Sequence, residues 1–229
     1  MNINMRQQSR KQRGFTLIEI AIVLVIIGLL LGGVLQGQQL IENSRVKSAT
    51  NDFNGIAAAV FSYQDRYGRL PGDDPGARTA RGSSWPRAAT SGDGNGVIAI
   101  TATPFAPAAT DEVGYFFQDL RSAGFIAGNP TDTGTAALPA NPFGGLTTIV
   151  TAGVLTDGTN ALAGTKVCMG NVSGTAAIAL DTQLDDGSSN TGRFRAVGDG
   201  GTPNTAPVAA AVAAAAYSED LSYTVCYRI

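Results

Sequence analysis

Between Phe15 and Leu35 the chain runs through 21 residues whose one ionisable side chain is Glu19. At a helical rise of 1.5 Å per residue this run is about 30 Å long, the thickness of one bilayer core. One helix of this chain must therefore be solvated by lipid or by other helices. Four basic residues, Arg6, Arg10, Lys11 and Arg13, precede it, with no acid in the first 14 positions. That asymmetry holds the N-terminal end on the cytoplasmic side and sends the remainder across the membrane. A carboxylate inside such a helix costs about 2.5–3.5 kcal/mol on insertion scales unless it finds a partner. In the first turn of a helix it is also favoured by the dipole. Both arguments mark Glu19 as a functional candidate.

Two readings of this segment compete: a plain signal anchor or export signal, and a processed filament helix. The register Arg13-Gly14-Phe15-Thr16-Leu17-Ile18-Glu19 decides between them. It resembles the N-terminal signature of type IV pilins and of the pseudopilins of type II secretion, and the likeness runs from Gly14 to Gly33. The resemblance implies that a prepilin peptidase cuts between Gly14 and Phe15, and that Phe15 is then N-methylated. The apolar segment would stay on the mature chain. Glu19 would form the assembly salt bridge to a Phe15 amine, its own or a neighbour's. The implied partners are the prepilin peptidase, other pilin subunits in a homo- or hetero-filament, and the inner-membrane pilus assembly machinery. The implied location is the bacterial inner membrane before assembly and a periplasmic or extracellular filament afterwards. The chain departs from many major pilins in having Gln36 where they carry proline. Its helix has Gly28, Gly32, Gly33 and Gly37 instead, and the cluster at Gly32 to Gly37 is the expected site of bending or melting on assembly.

Composition narrows the chemistry. The chain has no histidine, which removes imidazole bases, His-based triads and the commonest zinc ligand. Without the four leader bases, 12 Lys and Arg stand against 18 Asp and Glu, a side-chain charge of −6. Such a chain is not built to bind phosphate backbones. An enzyme would have to use the adjacent acids Asp73 and Asp74, or Asp185 and Asp186, but both pairs lie beside turn glycines where Asp serves local hydrogen bonding. No catalytic residue is assigned, and the chain reads as structural.

Four regions follow: a basic leader at 1–14, a membrane or filament-core half-helix at 15–37, an amphipathic half-helix at 38–68, and a globular exported domain at 69–229. The amphipathic half carries Val46, Ala49, Phe53, Ile56, Val60, Tyr63 and Tyr67 at alternating spacings of three and four, one buried stripe. Packing on the chain's own domain explains that stripe, as a coiled coil would. Gly68 caps the helix and Pro71 prevents its resumption. Further helices are predicted from Thr110 or Asp111 to Ala123 and from Ser173 to Leu184. Strands are predicted at Val97–Thr101, Thr147–Leu155, Arg193–Val197 and Tyr223–Ile229. The alanine run from Val208 to Ala216 reads equally as helix or strand. The fold class is α+β: a long N-terminal helix on a C-terminal antiparallel sheet with long loops, which is also what the resemblance implies.

Cys168 and Cys226 both lie in the exported part, where an oxidising periplasm lets them pair; two buried thiols are the alternative. A bridge closing 59 residues contributes about 4 kcal/mol in the chain-entropy model. It would tie the C-terminus to the segment around Cys168 and define the region exposed on a fibre. Two thiols without histidine are too few for a metal site, and none is assigned. Ser91, Asp93, Asn95 and Gly96 have the spacing of a calcium loop, but Ala102 stands where its terminal acid belongs, so a tight turn is the better reading. Calcium stays open as a cofactor, with Asp185 and Asp186 as further donors. Three functions are weighed: a pilus subunit, which the cysteine pair favours; a secretion pseudopilin, which a calcium site would favour; and a minor tip subunit acting as adhesin or DNA-binding module. The last rests on Arg78, Arg81 and Arg87 around Trp85, a basic-aromatic cluster able to stack on bases.

Overall fold

The computed structural model describes residue 14 and residues 16–77, 81–82, 85, 92–98, 103–207, 214 and 216–229. Phe15, the leader bases, Arg78, Arg87, Ser91, most of the strand predicted at 97–101 and most of the alanine run lie outside them. The chain divides into two units, residues 1–42 and 43–229.

Helix α1 runs from Leu17 to Tyr67, 51 residues, and passes unbroken through the glycines at 32, 33 and 37. In the first unit its side chains are bare all round: Leu17 is 90% exposed, and Leu29, Leu31 and Leu35 are at least 60% exposed. Among the described residues it is the one helix long and apolar enough to cross a membrane. In the second unit α1 buries the predicted stripe, Val46, Ala49, Phe53, Ile56, Val60 and Tyr63, together with Ala59. Tyr67 is only half-buried. Gly68 ends the helix at φ +65° and donates its N–H to the Gln64 carbonyl at 2.8 Å, the left-handed cap that glycine adopts without strain.

A four-stranded antiparallel sheet faces the stripe in the order β1-β4-β6-β5, where β1 is Thr147–Val150, β4 Lys166–Ser173, β5 Phe194–Gly198 and β6 Ser222–Arg228. Phe53 of α1 meets Phe194 and Tyr227 edge-on, with ring centroids 6.1 and 5.6 Å away. A separate hairpin, β2 (Val154–Thr156) and β3 (Ala161–Leu162), covers the opposite side of the sheet with Phe105 and the two cysteines. Helix α2 spans Glu112–Ser122 and buries Val113, Phe116, Phe117 and Leu120 as predicted, with Gly124 following its end at φ +78°. The Asp111 carboxylate does not cap its first turn and instead accepts the Ala108 N–H at 2.7 Å. Helix α3 spans Gly174–Leu184, capped by the Ser173 hydroxyl on Ala176 N–H. Its first residue has to be glycine, because a Cβ there would lie 1.9 Å from the Ser218 carbonyl oxygen.

Two predicted strands need correction. The run Thr147–Leu155 is two strands in different sheets, since the chain turns at Thr151–Gly153 and Leu155 takes φ +52° in a bulge. Val97 and Ile98 are in no strand. The central strand β4 was not anticipated. Gly170 and Asn171, the latter at φ +60°, interrupt its alternation where its register with β6 shifts between Met169 and Val172. Both faces of β4 are covered, Val167, Met169 and Val172 joining the large core and Cys168 the smaller one.

Candidate functional site

The head of α1 is locked by a reciprocal pair. The Thr16 hydroxyl oxygen accepts the Glu19 N–H at 3.3 Å, while Glu19 Oε2 accepts both the Thr16 N–H and the Thr16 hydroxyl at 2.8 Å. This is a capping box, in which two of the helix's orphan donors are satisfied by side chains. It gives Glu19 a partner at the apolar end of the chain, and Oε1 takes part in none of these bonds. Thr16 is a capping residue that sequence reasoning missed, although the spacing Thr-x-x-Glu ahead of an apolar run signals it. Gly14 is described and exposed; Phe15 lies outside the described residues.

Cys168 and Cys226 are joined by a disulfide with Cα atoms 4.1 Å apart. They are register partners on adjacent strands β4 and β6, and both are fully buried. The bridge is thus a cross-strand link inside the smaller core. The segment it encloses contains α3 and β5, which contribute to the main core. Two buried cations share this side of the sheet. Arg195 donates to the carbonyls of Leu155 (2.9 Å) and Asn160 (2.8 Å) and reaches Asp157 at 3.5 Å, clamping the hairpin. Lys166 donates to the carbonyls of Thr151 (3.3 Å) and Gly164. Burial, and then the charge of Arg228, push its pKa down to about 8.

The acids beside turn glycines hold those turns. Buried Asp73 accepts the Gly94 N–H at 2.6 Å and the Gly96 N–H at 2.5 Å, tying the exit of α1 to the Gly92–Val97 loop. Inside that loop Asp93 accepts from Asn95 N–H and Asn95 from Val97 N–H, consecutive Asx turns. Asp73, Asp93 and Glu112 bring carboxylate oxygens within 4.8 Å of one another, as do Asp181, Asp185 and Asp186. In the second group Asp185 accepts from Arg193 and Phe194 N–H, Asp186 from Ser188 N–H and the Thr191 hydroxyl, and Asp181 from Gly187 N–H and the Tyr217 hydroxyl. Asp73, Asp93, Asp181, Asp185 and Asp186 are thus engaged as hydrogen-bond acceptors, and no cation is assigned to either group.

Of the basic-aromatic cluster, the described members Arg81 and Trp85 face inward. Arg81 donates to Asp74 at 2.5 Å and to the Tyr63 hydroxyl at 2.9 Å, and that hydroxyl donates to the same carboxylate at 3.1 Å. The guanidinium lies 3.9 Å from the Tyr67 ring centroid and 4.7 Å from that of Trp85, itself buried. Burial and the charges of Asp119 and Asp74 push the Tyr63 pKa well above the ordinary phenol value. Arg81 is part of the core that ends α1, so the stacking surface inferred for nucleic acid is not there for Arg81 or Trp85.

Residues 9–35 match the prokaryotic N-terminal methylation motif. No curated protein matches the chain. The motif, together with the long apolar helix that follows it, fits a type IV pilin-like protein.

Proposed function

We propose that this chain is a structural subunit of a type IV pilus or related filament, held in the inner membrane by α1, cut between Gly14 and Phe15, methylated on Phe15 and assembled through its N-terminal helix. The observation that carries this reading is the Thr16–Glu19 capping box inside a segment that matches the methylation motif. A carboxylate fixed at the helix head, with Oε1 outside the box, is placed to accept a cation at the end of an apolar helix. Cleavage after Gly14 would supply that cation one residue before Thr16, on the same chain or on a neighbour. Assembly then exchanges lipid contacts for helix–helix contacts while the charge pair sets the register.

Replacement of Glu19 by Ala tests this reading. The variant is expected to be cleaved and folded normally but to enter sheared filaments at a small fraction of the wild-type level. Wild-type filament yield from Glu19→Ala would contradict it. Arg81 and Trp85 are committed inward, which weakens the case for a DNA-binding tip module built on them.

A further inference from the structure

Among the described residues, Asp52 stands out as an acid without a hydrogen-bond or ion-pair partner on a half-buried site of α1. It lines a cavity of about 330 Å³ whose other walls include Asn51 and Ile56 of α1 and Phe125, Ile126 and Pro139. Burial raises its pKa, as expected of a carboxylate against apolar walls with no cation to meet it. Arg45 lies seven residues earlier on the same side of α1, roughly 20° from Asp52 and about 10.5 Å away along the axis. Lys47, five residues earlier, is exposed, but at 3.6 residues per turn it is rotated by roughly 140° from Asp52. Phe61, 58% exposed, lies about 21 Å further along the helix and within roughly 40° of Lys47 around it.

We infer that the Asp52 cavity is the socket for Lys47 of a second copy of this chain. An acid in a pocket and a free lysine on nearly opposite sides of one helix form a head-to-tail contact, which leaves a socket and a plug free at the two ends and so propagates as an open helical array. Five residues of helix rise about 7.5 Å, so neighbours whose α1 helices run side by side are offset along the axis by about that distance. Docking removes Asp52 from water together with its counter-charge, the condition under which a buried pair is held. The inference rests on the filament reading above and adds to it the identity of one subunit contact.

Charge reversal tests it in the full-length protein in its native host. Asp52→Lys and Lys47→Asp are each expected to lower the yield of sheared filaments at least tenfold, and the double variant to restore it. In a second measurement, Lys47→Cys and Asp52→Cys combined in one chain are expected to cross-link filament subunits into a ladder of multimers under mild oxidation, with neither single variant doing so. Wild-type filaments alongside unaffected single reversals, or the absence of a ladder from assembled filaments, would overturn this contact alone. Rescue of Asp52→Lys by Arg69→Asp and not by Lys47→Asp would also overturn it. Failure of the wild-type chain to form filaments at all would overturn the filament reading and this contact with it.

Discussion

Lys166 heads the central strand with its side chain fully buried and two backbone carbonyls as acceptors. Its pKa falls from the ordinary 10.5 to about 8, so between those values the unfolded chain holds a proton that the folded chain does not. Stability therefore rises with pH across that window, and below it the folded state carries a penalty on the order of 3 kcal/mol. Lys166→Met removes the titration but leaves two carbonyls short of a donor, which returns about 1 kcal/mol for each. The variant should melt slightly above the wild type at pH 7, and the order should reverse as pH rises from 8 to 10.5. Paired thermal melts across that range check it. Arg81 is the opposite case, a cation whose partner is as buried as itself: the side chains of Arg81 and Asp74 are 15% and 4% exposed. Arg81→Ala should cost about 3 kcal/mol by leaving Asp74 and Tyr63 uncompensated. Lysine should restore only part of this, since it lacks the fork and the stacking plane; chemical denaturation of both variants measures the split.

At the scale of elements, the head of α1 and the β4–β6 pair carry separable roles. Thr16→Ala removes a cap worth about 1 kcal/mol and frees the Glu19 carboxylate to rotate away from the helix head. It is expected to reduce filament yield less than Glu19→Ala does, because the charge remains. The disulfide encloses the segment from Cys168 to Cys226, a sequence separation of 58. Replacing both cysteines by alanine should cost up to about 4 kcal/mol, read as a lower denaturation midpoint with β4 still paired to β6. These elements were unequally legible in the sequence. The α1 stripe and the Gly68 cap follow from period and turn chemistry alone, α2 from its apolar spacing and the glycine after it, and α3 from its Ser173 cap. β4 was hidden because Lys166, Gly170 and Asn171 break its alternation, and because its two covered faces give no polar side to alternate with. The capping box is legible in the Thr16-x-x-Glu19 spacing, where Glu19 serves both as a membrane charge and as the partner of the Thr16 cap. Arg81 and Trp85 had the composition of a binding surface, and only the fold shows that Asp74 and Tyr63 turn that cluster inward.

The whole molecule joins two solvents in one chain. Residues 17–42 present apolar side chains on every side, a surface that persists only in lipid or against other helices. Residues 43–229 bury their own stripe, sheet and disulfide, as a domain exposed to water requires. The proposed function has such a chain stored in a membrane as one helix and completed by neighbours of its own kind, which is the central claim for this protein. Intact-mass and N-terminal analysis of the protein from native membranes or sheared filaments tests that claim most directly. The account predicts a chain that begins at N-methylated Phe15 with α1 retained. A chain beginning at Met1, or cut beyond Leu35, would contradict it and make the N-terminal segment an anchor or an export signal.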